Sequence, residues 1–424
     1  MSEVMAAFSA ASAPAPRITR NTPYEVCVYR TRTGEVVKWI PIVGTPRWER
    51  GLNIVGSWSV QVSLDQRLLT KAELSQLIDP WHWSWAVVQG RSIHQAGPVL
   101  SEDFADDGSQ YTTISGVGLW ALYKEKRVLY NKDTLIKPVI QGIDADVAFG
   151  PGATSDKGGP IPLANRNLSL HTIIKRLLEN EQGKSGGDVP LALPDDVSGD
   201  AIRTYMGPEL AYTGNRIYEI TQVRNGPEVE FVPRFTDTER TSVEHQVSIG
   251  NPRLGQLGYE HSWTYGRSLV KAGFVSDGSR MTNRRWDRGS GFERNVETGY
   301  YEDLDGVDLG PYQTMPLLET VGQEHTDNGN PVELIEYARA DVERSLTTEL
   351  NLRAEVTLEG DSGDGSDPPS PTFDSVSPGD TGSFHVYGHP RLTDGRYQIR
   401  VLRMSAGSSY KRGVLTTEVL GRPS

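Results

Sequence analysis

This chain contains parts of known catalytic and ligand-binding motifs, but each motif lacks a required residue. Gly183-Lys184-Ser185 has the order that ends a phosphate-binding loop, but Leu178 stands where that loop requires its first glycine. Gly360-Asp361-Ser362-Gly363 has the order found around a nucleophilic serine, yet Asp364 follows where that pattern has another glycine. The sequence therefore favours a helix end for the first motif and a flexible hinge for the second.

Candidate metal ligands are also sparse. His385 and His389 are the one close pair of histidines, and no His-Glu-x-x-His pair occurs. Asp303, Asp305 and Asp308 have part of the spacing of a calcium loop but lack its full ladder and its terminal glutamate. A solvated turn is favoured at the aspartates and a structural role at the histidines, with cation binding as the alternative.

The single cysteine, Cys27, lies in the strand-like run Tyr24–Tyr29, where alternation favours a buried thiol over a nucleophile. One cysteine forms no disulfide within the chain and excludes cysteine-rich zinc sites. Acidic residues are plentiful, but a glycosidase pair is recognised by its placement in space, which the sequence does not fix. We therefore expect no catalytic, cofactor-binding or metal-binding residues, no cofactor and no enzymatic activity.

Two aromatic or basic clusters remain as candidate binding surfaces. Trp81, Trp83 and Trp85 alternate along one predicted strand, which favours a core or subunit-interface stripe over a sugar-stacking platform. The arginine-rich segment from Arg280 to Arg288 surrounds Trp286 and could grip an anionic polymer or an acidic loop of a neighbour. A solvated, partly interfacial loop is the favoured interpretation of this segment.

Composition and charge limit the class of protein. The chain has 424 residues with 44 Gly, 26 Pro, 17 Tyr and 9 Trp, which predicts several domains rich in strands and tight turns. A net charge of −12 argues against general nucleic-acid binding, because phosphate contacts need clustered Lys and Arg. Residues 1–20 are Ala-, Ser- and Pro-rich at their start and predict a flexible arm without a secretory signal or membrane span.

Period-two patterns predict strands at both ends of the chain, and capping patterns predict helices between them. The predicted strands are Tyr24–Tyr29, Val36–Ile42, Ser57–Leu64, Trp83–Val88, Tyr111–Ser115, Val229–Phe235, Ser383–Tyr387, Arg396–Met404 and Val414–Leu420. The predicted helices are Thr70–Ile78 with a capping box, Leu168–Glu181, a helix after Gly214 capped by Asn215, and one from Asn330 to Leu350. The polar segment Glu359–Pro371 predicts a linker that proteases would cut, as they would Met1–Pro16.

From about Tyr24 onward, the succession of these patterns resembles the minor tail and baseplate-hub proteins of long-tailed, siphovirus-type phages, especially those that infect actinobacteria. The segments that carry this resemblance are Gly56–Leu64, Gly97–Leu100, Arg216–Phe235, Asp277–Ser279 leading into Arg284 and Gly291, Gly379-Asp380 and Asp394–Val401. The resemblance implies an α+β, β-rich, multi-domain tail-hub architecture with two tube-like β-barrel or sandwich domains. Its expected divisions are an arm at 1–20, a first tube-like domain at 21–118, a smaller α+β domain at 119–213, a second hub region at 214–350, and a linker with a C-terminal β unit at 351–424.

The resemblance also implies a function, which is a homotrimeric hub at the tail tip that adapts a sixfold tube to a threefold tip. Its implied partners are the distal tail protein and tail tube, the tape-measure protein, and tail fibres or other minor tail proteins. DNA would pass transiently through a ring and gate lined by acidic and small polar residues, without sequence-specific binding. The chain would be made in the host cytoplasm and meet the bacterial surface indirectly. The alternatives are a carbohydrate-binding adhesin and a tail-associated cell-wall hydrolase.

Overall fold

The computed structural model describes residues 23–65, 67–106, 110–129, 147–149, 168–201, 203–205, 210–223, 225–256, 261–291, 295–304, 316–324, 330–346, 349–358 and 371–420. Met1–Pro16, nearly all of Glu359–Pro371 and the Gly360–Gly363 motif lie outside the described residues. The predictions made for them therefore stay predictions.

The first β unit consists of seven strands and one helix. Its elements are β1 (Tyr24–Arg30), β2 (Val36–Ile40), β3 (Ile42–Gly51), β4 (Ser57–Ser63), α1 (Lys71–Leu77), β5 (Trp83–Gln89), β6 (Ser92–Asp103) and β7 (Tyr111–Val117). The strands lie in the order β2-β1-β5-β6-β7-β4-β3, and all neighbours are antiparallel. The predicted capping box of α1 is confirmed, because the Thr70 hydroxyl accepts from the backbone of Glu73 while the Glu73 carboxylate accepts from the backbone of Thr70.

A middle unit of helices and short strands follows. Its elements are α2 (Trp120–Glu125), β8 (Val147–Phe149), α3 (Leu170–Gln182), β9 (Leu191–Ala192), β10 (Arg203–Tyr205), α4 (Thr213–Gln222), β11 (Val229–Phe235) and β12 (Val243–Ile249). Apolar side chains of α2, α3, α4, β11 and β12 pack in one core. Tyr212, not Asn215, is the N-cap of α4, so the expected boundary between residues 213 and 214 falls inside the first turn of this helix.

The second β unit is interrupted by an insertion. Its elements in chain order are β13 (His261–Thr264), β14 (Leu269–Asp277), the inserted β15 (Arg284–Arg288), β16 (Thr298–Glu302), β17 (Glu319–Glu324) and α5 (Pro331–Ser345), and then β18 (Glu349–Thr357), β19 (Thr381–Val386), β20 (Gly395–Ala406) and β21 (Arg412–Val419). Asn330 caps α5 as predicted, but the helix ends at Ser345 rather than near Leu350. The expected boundary between residues 350 and 351 therefore lies within β18, which packs in the same core as β20 and β21.

The strand order of the second β unit repeats that of the first. It runs β13-β19-β20-β21-β18-β14. Replacing these strands by β1, β5, β6, β7, β4 and β3 gives the order of the first unit without its edge strand β2, with chain order preserved. Both long strands, β6 and β20, carry a bulge at the same place in their ladders, between Val99 and Ser101 and between Val401 and Arg403. The units differ in that β13 runs parallel to β19, whereas β1 runs antiparallel to β5.

The two β units are joined edge to edge. β20 pairs antiparallel with β3, so that strands from both units belong to one continuous sheet. One hydrophobic cluster spans both units, from Trp58 and Trp85 in the first to Trp263 and Phe384 in the second. The predicted β-rich class is confirmed, and the chain is organised as two topologically equivalent β units with a middle α+β unit between them in sequence.

Candidate assembly surfaces

The junction between the two β units shows how one unit recognises the other. Arg403 lies opposite Gly51, Met404 opposite Arg50, and Ser405 opposite Glu49. Beyond this ladder, the backbone N–H of Leu52 donates to the carbonyl of Leu402 at 3.0 Å. The contact is therefore built mainly from backbone hydrogen bonds between a β3-type edge and the end of a β20-type strand.

Two edges of the same types have no partner strand in the described part of the chain. β14, the counterpart of β3, pairs with β18 alone among the described strands. At the end of β6, the counterpart of β20, Ser101–Asp103 pair with β7 on one side, while the β5 ladder on the other side ends at Pro98. Ser101–Asp103 are exposed, and Val275 on β14 is 62% exposed. Open rows of backbone donors and acceptors are templates for pairing with another chain.

Over β3, β4, β7, β21, β18 and β14, the continuous sheet has one apolar face and one polar face, whereas β1, β5 and the first half of β6 are buried on both faces. On β4, Trp58, Val60 and Val62 are buried in the core, so the alternating residues face away from it. The outward residues of the central strands are mostly small and polar: Ser57, Ser59, Gln61 and Ser63 on β4, Thr113 and Ser115 on β7, Asn351 and Thr357 on β18, and Thr416 on β21. Hydroxyls meet across the strands, with Ser115 Oγ donating to Ser59 Oγ at 3.2 Å.

Charged residues on the polar face are of both signs. The basic ones are Arg47, Lys271, Arg353, Arg403 and Arg412, and the acidic ones are Glu49, Asp103, Glu355 and Glu418. Some of them pair, with Arg403 3.6 Å from Glu49 and Lys271 3.5 Å from Glu355. Among the side chains of this face that the structure describes, acids therefore do not predominate, although the chain as a whole carries a net charge of −12.

The arginine-rich segment is a strand from Arg284 to Arg288 rather than the predicted loop, whereas Arg280 lies in a turn before it. Arg284 lies in β15 and pairs with Glu302 on β16 at 2.7 Å and with Glu319 on β17 at 3.0 Å. Arg285 faces the opposite side and pairs with Asp287 and with Asp341 of α5. The sequence missed this strand because most partners of its charges, namely Glu302, Glu319 and Asp341, lie far along the chain. These two arginines are engaged within the insertion and are not a free anion-binding cluster.

An apolar stripe crosses the face of the insertion that is turned away from α5. Trp286 lies between Tyr300 and Val321 in the three-stranded sheet, and the three residues are 40%, 50% and 78% exposed. The Trp286 and Tyr300 rings stack on each other with centroids 4.8 Å apart. On the other face, Gly299 lies so close to α5 that a Cβ would come within 2.6 Å of the backbone nitrogen of Ile335.

The other residues that the sequence suggested as candidate sites make contacts within the fold. Cys27 is fully buried, and burial raises the pKa of its thiol to about 12, so the nucleophilic thiolate is disfavoured. Lys184 of the Gly-Lys-Ser motif lies 2.7 Å from both oxygens of the buried Glu181, and Thr213 of α4 donates to the same carboxylate at 2.6 Å. The Glu181 carboxylate therefore joins α3 to α4, and the lysine neutralises this buried carboxylate.

The histidine and tryptophan candidates are likewise part of the fold. His389 Nε2 donates to the carbonyl of Ala272 at 3.0 Å, while its Nδ1 accepts from the backbone of Leu392 at 2.9 Å. The core interpretation is confirmed for Trp85, which is buried and donates to the carbonyl of Leu77. Trp81 lies in a turn before β5 with φ of 65°, so it is not on the strand as predicted.

Neither a metal-binding cluster nor a membrane-spanning helix occurs among the described residues. No three His, Cys, Asp or Glu side chains of the described ranges gather in a way that could hold a metal ion. Asp303 belongs to these ranges, whereas Asp305 and Asp308 lie outside them. No helix in the described part of the chain is long and apolar enough to span a membrane.

The fold is similar to that of tail proteins of known structure. The 43 kDa tail protein of prophage MuSo2 from Shewanella oneidensis matches with a TM-score of 0.52 and 10% identity, over 95% of this chain and 97% of that one. The tail protein from Neisseria meningitidis MC58 matches with a TM-score of 0.50 and 12% identity, over 94% and 96% of the two chains. No protein-family model matches the sequence, and no curated protein matches it either. The chain thus has, over nearly its whole length, the fold of these two tail proteins.

Proposed function

We propose that the chain is a structural hub of a phage tail tip, in which three copies form a ring around the conduit for DNA. The observation that carries the proposal is the repeat of one strand order in two β units that meet head to tail through β3 and β20. The fold shared with two tail proteins over nearly the whole chain supports a place in a virion tail.

A ring follows from the unequal edges of the repeated unit. Each β unit has one β3-type edge and one β20-type edge, and a contact between unlike edges is heterologous. Such contacts close into a ring when the rotation between units divides a full turn. Three chains supply six units, so the ring matches a sixfold tube on one side and keeps a threefold arrangement for the middle unit and the insertion.

The polar face of the continuous sheet is the surface that we assign to the conduit. Small hydroxyl and amide side chains bind phosphate weakly, and the charges on this face include both signs. A wall of this kind lets DNA slide without being held. The sequence led us to expect a conduit lined by acidic and small polar residues. The small polar residues of this face agree with that expectation, and its described charged residues are of both signs.

The middle unit and the insertion are the parts that we assign to contacts with other tail proteins. They lie outside the repeated strands, so a ring of β units leaves them available to the distal tail protein, the tail tube, the tape-measure protein or the fibres. Through these partners, the chain would meet the bacterial surface only indirectly.

Counting copies in purified tails tests the hub proposal. Electron cryo-microscopy of tails, together with quantitative mass spectrometry, is expected to give three copies of the chain in one ring on the tail axis. A single copy, six copies, or a position on a peripheral fibre would contradict the proposal. The position of the chain alone would separate a hub from a fibre subunit, because a fibre subunit would not surround the tail axis.

A second candidate function, attachment to host carbohydrate, is favoured by the exposed Trp286–Tyr300–Val321 stripe. Aromatic rings at a surface are frequent sugar contacts. The stacking of Trp286 on Tyr300 covers one face of each ring, which weighs against this function. Binding of the isolated chain to host cells, lost in a Trp286→Ala/Tyr300→Ala variant, would establish it.

A further inference from the structure

Among the described strands, the open edge of β14 and the open end of β6 correspond, residue by residue, to the two edges that already meet inside the chain. The shared bulges align Val99 with Val401, so Ser101, Glu102 and Asp103 correspond to Arg403, Met404 and Ser405. On the other side, the ladders relate β3 to β14 through their neighbours β4 and β18. In the first unit, Trp48 pairs with Trp58, Trp58 pairs with Gly116, and Gly116 pairs with Val99. In the second unit, Phe274 pairs with Leu352, Leu352 pairs with Thr417, and Thr417 pairs with Val401.

Trp48 therefore corresponds to Phe274, and the next three residues of each strand correspond as well. Glu49, Arg50 and Gly51, which pair with β20, have Val275, Ser276 and Asp277 as counterparts. Each open edge thus has the register and the direction that its occupied counterpart uses. The edges are also exposed along the residues concerned, as Val275 and Ser101–Asp103 show.

We propose that β14 of one copy pairs antiparallel with the end of β6 of a second copy, with Ser276 opposite Glu102 and Val275 opposite Asp103. This interchain contact repeats the β3–β20 junction of the single chain and rests on the proposed ring. It makes the continuous sheet of one copy run into that of the next. All six junctions of the ring are then of one type, three within chains and three between them.

The register predicts which pair of positions a disulfide can bridge. Because Leu52 donates to Leu402, alternation makes Arg50–Met404 a hydrogen-bonded pair and Glu49–Ser405 a non-hydrogen-bonded one. Non-hydrogen-bonded pairs have Cα atoms about 4.5 Å apart, within the range of disulfides. The corresponding interchain pair is Val275–Asp103. Both of its residues are exposed, and the native Cys27 is buried and does not compete.

Crosslinking in assembled tails tests the contact. Tails carrying Val275→Cys/Asp103→Cys are expected to give, after mild oxidation, a covalent product of three chains on non-reducing gels. Glu49→Cys/Ser405→Cys is the matched control and is expected to close within one chain, without a larger product. In Val275→Cys/Ser101→Cys, the two cysteines are diagonal rather than direct cross-strand neighbours, about 7 to 8 Å apart. The yield of the interchain disulfide is therefore expected to be several-fold lower.

The outcomes separate this contact from the hub itself. If the control closes within the chain and tails contain three copies, but Val275→Cys/Asp103→Cys gives no interchain product, the strand contact is wrong and the hub stands. If tails do not hold three copies in a ring, the hub fails. Should the double variant not enter tails, chains with Val275→Cys alone are mixed with chains with Asp103→Cys alone. A disulfide between the two kinds of chain then supports the contact. If both kinds of chain are fully incorporated into tails and no such disulfide forms, the proposed contact is overturned.

Discussion

Arg400 holds the second β unit to the middle unit through a buried ion pair. Its guanidinium donates to Glu228 at 2.6 Å, to the carbonyl of Gly379 at 3.1 Å and to that of Leu254 at 3.0 Å, and only 6% of its side chain is exposed. Replacing it with methionine leaves the Glu228 carboxylate buried without its cation. We expect Arg400→Met to lower the free energy of unfolding by about 3 to 5 kcal/mol in urea denaturation.

Arg403 provides the control for that measurement. It lies in the same strand and pairs with Glu49 at 3.6 Å, but about half of its side chain is exposed. Surface pairs of this kind contribute about 1 kcal/mol or less, so Arg403→Met should shift the urea midpoint far less. Equal losses in both variants would show that the burial of Arg400 is not what makes its pair important.

His94 makes the stability of the first β unit depend on pH. Its ring stacks on Trp48 with centroids 4.6 Å apart, and burial, helped by the charge of Arg50, lowers its pKa to about 3. The unfolded chain has a histidine pKa of about 6.5. Between these values the unfolded state binds a proton that the native state does not, so stability falls as pH falls from about 6.5 toward 3.

We expect His94→Phe to reduce this dependence by about 1.4 kcal/mol per pH unit across the window. Phenylalanine keeps an aromatic ring against Trp48 and has no proton to take up. Urea unfolding of both chains at several pH values between 4 and 6.5 measures the slopes. The buried His245, whose pKa is also lowered to about 3, keeps part of the slope in the variant. Identical slopes would mean that His94 is protonated in the native chain.

At the scale of the element, β14 offers a test that acts on one backbone hydrogen bond. By its correspondence with Arg50, the backbone N–H of Ser276 points to the open edge rather than to β18. Proline removes that N–H and is tolerated on edge strands. We expect Ser276→Pro to leave the unfolding midpoint of the isolated chain nearly unchanged and to abolish its incorporation into tails.

Ser276→Ala is the matched variant, because it alters the same side chain and keeps the N–H. It is expected to assemble as the unmodified chain does. Incorporation of the proline variant at normal levels would show that β14 does not pair in the particle. A large loss of stability in the isolated proline variant would show that its N–H serves β18.

At the scale of the whole molecule, the polar face should decide how fast DNA passes. Ser59 and Ser115 lie side by side on this face. We expect Ser59→Lys/Ser115→Lys to leave tails with the normal number of copies and to slow DNA release in vitro, because added positive charges bind phosphates. Ser59→Thr/Ser115→Thr keeps small hydroxyls and should release DNA at the usual rate. Unchanged release by the lysine variant would place this face outside the conduit.

The sequence by itself determined the elements that depend on local signals. The Thr70–Glu73 capping box, the Asn330-Pro331 helix start and the alternating strand Ser57–Ser63 are each encoded within a few residues and occur as predicted. The β-rich class follows from many such segments together. The burial of Cys27 was also predicted, but β1 is covered on both faces, because Val26 and Val28 pack in one cluster and Cys27 and Tyr29 pack in another.

Only the tertiary structure decided how those elements combine. β3 and β6 escaped prediction as full strands, because bulges interrupt both and β6 is buried on both faces over His94–Val99, which removes the alternation. The pairing of β20 with β3 joins residues more than three hundred positions apart, and no local pattern encodes such a contact. The repeat of one strand order, and the two open edges that it leaves, become visible only when every ladder is known, since register and neighbours are set by packing across the whole core.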